Sequence, residues 1–374
     1  MLNSEQIWER IRRGVFVIAE AGKNFIKTKE NRPVTEYLEN AKELVDRAAW
    51  AGADAIKFQT HDVEDEQHPQ VVVTAAHFKD LDRLAWVTRN TNATPVNEFW
   101  RPLKAYCEER GIVFFSTPMS RAAAKRLSEV GVPLWKIGSG DILDYPMLDY
   151  LRSTNQPIIM SSGASTLEEV MNSLLYLRAK NKRVALTHAF SKYPGKPEEA
   201  NLAVIESYRE LFPDVPVGFS ENSIGITPSL IAVALGATII EKHFAIDRNL
   251  WGADHKVCST PEEFKEMVSA IRLMESRPEE KARWLNRSDL PAILGSRLKV
   301  LHPDEAEFRP VFQKSLVAGM DIPAGAKISA EMVYAVRPRR ELQGFPSEMY
   351  EFILGATATK DIKKYESLDW YSLK

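Results

Sequence analysis

A closed (β/α)8 barrel of the TIM type, followed by a small C-terminal domain, is the fold this sequence predicts, and three observations predict it. Eight short β-rich apolar runs lie between Val15 and Lys242. Stretches with helical periodicity separate them. Beyond about Arg277 the alternation stops and the chain becomes charged and irregular. Strands that alternate with helices pair in parallel, because each return crossover needs a helix to carry the chain back. Eight such units match the ~250 residues typical of a closed barrel. A doubly wound open sheet is the alternative, but no GxGxxG follows the first run.

In order, the candidate strands are Val15–Glu20, Asp54–Gln59, Ile112–Ser116, Leu134–Ile137, Pro157–Met160, Val184–His188, Val215–Phe219 and Thr238–Lys242. The first intervening helix is expected over Thr35–Trp50, where Leu38, Ala41, Val45 and Ala48 recur at helical spacing. Asn97–Arg110, Arg121–Val130, Thr166–Arg178 and Pro261–Met274 read the same way. These elements place the barrel in residues 1–285, a linker with a helix fragment in 286–310, and a compact unit in 311–374. The last unit carries an internal echo: Ala318-Gly319-Met320-Asp321-Ile322 and Ala358-Thr359-Lys360-Asp361-Ile362 share an Ala-x-x-Asp-Ile frame. About sixty residues without cysteine bury only a modest core, so this unit is expected to lean on another surface.

Composition narrows the function. Lys and Arg number 49 against 51 Asp and Glu, a net charge of -2, so no global field draws the chain to nucleic acid or to an acidic membrane. No apolar stretch reaches the roughly 18 residues of a spanning helix. The opening MLNSEQIWERIRRG is polar and charged, unlike a signal peptide. The two cysteines, Cys107 and Cys258, make a disulfide framework improbable. The expectation is a cytoplasmic protein with no nucleic-acid or membrane partner and no organic cofactor.

Function in such a barrel collects at the C-terminal ends of the strands. Those ends offer Glu20, then Lys57 and Gln59, then Ser116 and Thr117, then Lys136, Ser139 and Asp141. Ser161 and Ser162, His188, the run Ser220-Glu221-Asn222, and His243 complete the ring. A single Ser or Thr at such a place ordinarily meets water or caps a helix. Two ammonium groups among several hydroxyls are what a small dianion such as a phosphoester needs. The run Lys136-Ile137-Gly138-Ser139-Gly140 adds backbone N–H groups that can approach an anion closely.

Six ordered motifs carry a resemblance. They are Ile18-Ala-Glu-Ala-Gly, Gly52-Ala-Asp-Ala-Ile-Lys-Phe-Gln-Thr-His, Val63-Glu-Asp-Glu, Phe115-Ser-Thr-Pro-Met-Ser-Arg, Trp135-Lys-Ile-Gly-Ser-Gly-Asp and Ile240-Glu-Lys-His-Phe. Together they resemble the sialic acid synthase family from about Val15 to the C-terminus. The resemblance implies a transferase that joins phosphoenolpyruvate to N-acetylmannosamine or a related amino sugar, releasing phosphate and a nine-carbon 2-keto acid. It also implies an antifreeze-like (SAF) domain over 311–374 that reaches the partner's active site in a domain-swapped homodimer.

Position by position, the resemblance places Lys57, Thr117, Lys136, Ser139, Ser161 and Ser220 on phosphoenolpyruvate, in agreement with the anion reading of the strand ends. Glu20, Gln59, Tyr193 and Asp254 fall on the acceptor sugar, and Arg337, in the pair Arg337-Pro338, on the arginine donated across the dimer. Glu20, Asp141 and Asp254, with Lys57 and Lys136, are the implied catalytic set, Asp141 standing where the family has a glutamate. The family's metal site uses two histidines. Here His243 is present, but Asn222 stands where the other is expected, and an amide oxygen is a harder ligand that suits Mn²⁺ or Mg²⁺. A weakened metal site, a metal-free enzyme and a changed acceptor all remain open. N-Acetylmannosamine, its 6-phosphate, and the diacetamido sugars of legionaminic or pseudaminic acid fit the same motifs. A Schiff-base aldolase using either lysine and a non-catalytic sugar-binding homologue are the rival readings.

Overall fold

The computed structural model describes residues 2–73, 82–192, 194–252 and 254–374. Eight strands form one sheet: β1 (Phe16–Gly22), β2 (Ala55–Thr60), β3 (Val113–Pro118), β4 (Trp135–Ile137), β5 (Ile158–Ser161), β6 (Val184–Ala189), β7 (Val217–Glu221) and β8 (Ile239–His243). Their order is β3-β2-β1-β8-β7-β6-β5-β4, parallel throughout. β3 and β4 lie side by side and bring the ring round. The expected barrel is present, with each run displaced by no more than a residue or two. Most strands run further at their C-terminal ends than the apolar pattern suggests. Thr60 and Pro118, for example, are polar or imino residues that still pair because their neighbours extend too.

Side chains alternate across each strand. Phe16, Ile18, Ala55, Val113, Phe115, Leu134, Ile159, Ala185 and Ile239 form a buried cluster inside the ring. The residues between them, such as Val17, Ala19, Ile56, Phe58 and Phe114, pack outward with the helices. One step further along the inward phase the chemistry turns polar: Glu20, Lys57, Thr117, Lys136, Ser161, Ser220 and Glu241, all buried. The same phase in β7 passes through Gly218, where a Cβ would fall 2.5 Å from both the Ile239 carbonyl oxygen and its Cβ. Glycine is therefore what lets β7 close on β8.

The opening segment is more than a polar leader. Ser4–Arg13 is a helix whose Asn3 cap and Gln6 side chain satisfy each other's backbone N–H groups. Its Ile7, Trp8 and Ile11 join the interior cluster, so the helix stoppers the end of the barrel opposite the polar layer. Each such buried side chain contributes about 1.5–3 kcal/mol.

Helices Leu290–Leu294 and Pro303–Phe312 occupy the segment expected to be a linker. The C-terminal unit pairs β9 (Ser315–Ala318) antiparallel with β10 (Val333–Val336) around a core that includes Leu316, Ile322, Tyr350, Ile362 and Leu368. The sequence echo is a structural repeat. Ile322 and Ile362 exchange both backbone hydrogen bonds at 2.8 Å. Asp321 accepts from the Lys364 amide at 2.9 Å, and Asp361 from the Ala324 amide at 2.8 Å. The two aspartates thus brace equivalent turns on opposite halves.

As expected, the unit leans on another surface, which is the barrel of its own chain. Arg337 N donates to Glu66 O at 2.9 Å and His68 N to Arg337 O at 3.0 Å. Arg121 donates to the carbonyls of Ala330 and Val333 at 2.8 and 2.6 Å. No helix among the described residues is long and apolar enough to cross a membrane.

Candidate active site

The inward polar layer gathers most of the predicted anion set. Lys57 Nζ lies 2.6 Å from Glu20 Oε2, donates to Thr117 Oγ1 at 2.9 Å, and stands 3.6 Å from Glu241 Oε1. Lys136 Nζ is 3.5 Å from the same Glu241 oxygen, and Ser220 donates to it at 3.0 Å. Ser139 donates to Ser161 at 3.2 Å at the neighbouring strand ends. Burial works against the Lys57 ammonium, but Glu20 and Glu241 outweigh it and raise its pKa. For Lys136 burial wins over Glu241, and its pKa is lowered. Glu241 itself is opposed by burial, yet the Lys136 and Lys57 ammoniums hold its carboxyl below the usual range.

The predicted acceptor set adjoins this layer. Gln59 Nε2 donates to Glu20 Oε1 at 2.8 Å, so Glu20 touches the lysine with one oxygen and the glutamine with the other. At Gly22, with φ +52, a Cβ would lie 3.3 Å from Glu20 Oε1, 3.4 Å from Gln59 Nε2 and 3.4 Å from Asp254 Oδ2. Three polar groups, from β1, β2 and the segment after β8, therefore converge on one point. Lys23, which sequence reasoning missed, donates to Gln59 Oε1. Burial lowers its pKa, with Asp254 and Glu20 opposing. Trp86 and Trp251 wall this side with ring centroids 6.0 Å apart. Tyr193 lies outside the described residues.

The C-terminal domain closes the mouth. Arg337, 1% exposed, donates to Phe312 O at 2.7 Å and Gly140 O at 3.1 Å, bonds Asp141, and stands 3.4 Å from Glu66 Oε1. Glu66 also holds Arg83 and His61, each at 2.7 Å. Burial would raise its carboxyl, but His61, Arg83 and Arg337 bring it down to about 2. Lys314 Nζ is 3.1 Å from Asp141. Asp141 thus meets two cations of the C-terminal domain. Within this chain Arg337 reaches the mouth of the barrel beside the helix 303–312.

The two predicted metal ligands stand at the C-terminal ends of neighbouring strands, His243 closing β8 and Asn222 directly following β7. His243 is buried at the end of β8, in register with Glu20. Asn222 commits its amide nitrogen to Phe190 O at 2.7 Å. Among the described residues no group of three or more His, Cys, Asp or Glu side chains is arranged to hold an ion.

Glu241 and the Glu66–Arg83–Lys314 cluster were absent from the predicted set. Glu241 had a readable signal, since it shares the inward phase with Ile239 and His243 on β8. Of the cluster, Glu66 ends the motif Val63-Glu-Asp-Glu, whereas Arg83 and Lys314 carried no local signal.

Residues 44–282 match the NeuB family. The chain belongs to the NeuB family. In this NeuB-family chain residues 313–373 match the SAF domain. It is 34% identical over 361 residues to the spore coat polysaccharide biosynthesis protein SpsE of Bacillus subtilis, covering 95% of this chain and 92% of that one. The crystal structure of SpsE aligns with a TM-score of 0.74 at 31% identity, over 96% of this chain and 95% of that one. The chain is 32% identical to the N,N'-diacetyllegionaminic acid synthase of Campylobacter jejuni, over 94% of this chain and 97% of that one. It is 30% identical to the N-acetylneuraminate-9-phosphate synthase of Mus musculus, over 89% and 85%. Two of these relatives are thus named as synthases, of N-acetylneuraminate 9-phosphate and of N,N'-diacetyllegionaminic acid, and an enzyme is what the family supports.

Proposed function

We propose that the chain condenses phosphoenolpyruvate with an amino sugar carrying a free aldehyde, giving a nine-carbon 2-keto sugar acid and phosphate. The observation that carries this reading is the buried pair Lys57 and Lys136, set among Thr117, Ser139, Ser161 and Ser220, with the Glu20–Gln59–Asp254 group beside it. The pair receives the carboxylate and phosphate of phosphoenolpyruvate by charge-assisted hydrogen bonds. The adjoining group orients the hydroxyls of the acceptor. Glu20 touches both sets and is the carboxylate placed to pass a proton between them.

In the reaction the methylene carbon bonds to the aldehyde carbon, and water adds to the cationic carbon left behind. One water proton ends on the new acceptor hydroxyl. The other leaves with phosphate as the C–O bond breaks and the keto group forms. Carboxylates close to that carbon stabilise its charge. Closure by Arg337 and the SAF domain keeps the site dry, which strengthens these interactions.

An imine mechanism would need a neutral lysine. The carboxylates beside Lys57 raise its pKa and favour the ammonium, the wrong state for a nucleophile, whereas burial lowers that of Lys136 and leaves it the lysine on which the imine reading turns. The test is incubation with phosphoenolpyruvate and a panel of amino sugars, including N-acetylmannosamine, its 6-phosphate and diacetamido hexoses, with phosphate release as readout. Release with at least one acceptor is expected. No release with any, or borohydride trapping of a keto acid on Lys57 or Lys136, would refute condensation.

A further inference from the structure

One oxygen of Glu241 serves three neighbours. Oε1 stands 3.6 Å from Lys57 Nζ and 3.5 Å from Lys136 Nζ, and accepts from Ser220 at 3.0 Å. Its other oxygen is buried and makes no hydrogen bond among the described residues. A tight ammonium–carboxylate contact is ~2.7–2.9 Å, so the carboxylate hangs between the two cations and grips neither. Lys57 has its own counter-charge in Glu20 at 2.6 Å. Lys136 has Glu241, and beyond that a long hydrogen bond to the Ile137 carbonyl at 3.4 Å. Glu241 therefore fills the place, between two lysines and a serine hydroxyl, that an oxygen of a bound anion would take.

Two buried ammoniums without a carboxylate between them would repel each other and lose their hydration uncompensated. A carboxylate at that point stabilises the empty enzyme. It also competes with any phosphoester or phosphate that enters, and it remains beside that anion as a like charge.

We propose that Glu241 is a resident counter-anion of the phosphoester site, a positioning residue that holds Lys57 and Lys136 in place while the site is empty, gives them up to the substrate, and by repulsion keeps the phosphate product weakly bound. This rests on the condensation reading above, and deepens it by assigning affinity limitation and product release to one side chain.

The sign of the effect distinguishes it from an ordinary structural role. Glu241→Gln keeps the shape and an acceptor for Ser220 but removes the charge. Two like charges this close, even at an effective dielectric constant of about 20, repel by enough for a change of at least about five-fold. The Gln variant is expected to bind inorganic phosphate at least about five-fold more tightly by calorimetry, and to show a comparable fall in KM for phosphoenolpyruvate. Its kcat should fall as well, since product leaves more slowly. Glu241→Asp restores the charge and should return both constants toward wild type. Where the Gln variant does not fold, Glu241→Ser removes the same charge and carries the same expectation. Phosphate binding that is unchanged or weaker in the neutral variants, with a wild type that consumes phosphoenolpyruvate, overturns the inference alone. A wild type that neither binds phosphate nor consumes phosphoenolpyruvate overturns the condensation reading, and this inference with it.

Discussion

Replacing Arg337 with methionine tests how the C-terminal domain is held, since Met keeps much of the volume and removes the charge. Breaking one side of a buried ion pair costs about 3–5 kcal/mol when the other side is stranded. Here neither carboxylate is stranded. Asp141 keeps Lys314 at 3.1 Å, and Glu66 keeps Arg83 and His61, each at 2.7 Å. The Gly140 and Phe312 carbonyls do lose their donor. The cost should therefore sit at the low end, about 3 kcal/mol, which multiplies the undocked population by about 10². The loss should fall on docking and leave barrel unfolding unchanged, because the contacts removed, that to Phe312 apart, join the domain to the mouth. Native-state hydrogen exchange reads this directly: protection at the His68 amide and across 313–373 should drop by about 10²-fold, while β1 to β8 keep theirs. A loss below about 1 kcal/mol, or one spread evenly over the barrel strands, would refute the latch.

Lys57→Ala and Lys136→Ala should each reduce kcat/KM for phosphoenolpyruvate by at least ~10²-fold, because a charge-assisted contact contributes about 1.5–3 kcal/mol and positioning adds to it; near wild-type efficiency in both would remove the lysines from the site. Asp65 gives a pH test. Burial raises its carboxyl to about 7 and Arg121 only partly opposes this, so between 3.8 and about 7 the folded chain keeps a proton that the unfolded chain releases. Stability from this group accordingly falls as pH rises through that window. Asp65→Asn, which can still accept from the Ala122 amide, should be more stable than wild type at pH 8, by at most about 4 kcal/mol, and level with it near pH 4; equal denaturation midpoints at pH 8 would count against it. Asn222→His should raise Mn²⁺ affinity over a wild type whose activity EDTA barely reduces; complete loss with EDTA and recovery at micromolar metal in the wild type would show that the asparagine is no handicap.

Strand positions and strand-end chemistry were readable from the sequence because both are local. An apolar run between helical periods marks a strand, and the polar residue that ends it must face the mouth. Lys57, Thr117, Lys136, Ser161 and Ser220 came together for that reason. Glu241 lies within the run Thr238–Lys242 and not at its end, yet counting back by two from His243 places it inside the ring. The N-terminal helix is polar on average, and Ile7, Trp8 and Ile11 on one face are what bury it. The pairing of Arg337 with Asp141 and Glu66 could not have been found this way. It joins positions 196 and 271 residues apart, through a domain whose docking no local pattern encodes.

The twofold character of the C-terminal domain bears on how copies of this chain meet. Each half supplies the strand edge and the aspartate brace that the other half lacks, through the Ile322–Ile362 exchange and the Asp321 and Asp361 contacts. Nothing in those bonds records whether the two halves share one backbone. Only the effective concentration set by the tether between the halves favours closure within a chain. Lengthening that tether lowers the effective concentration and so weakens the closure of the domain on itself, without altering a single bond between the halves.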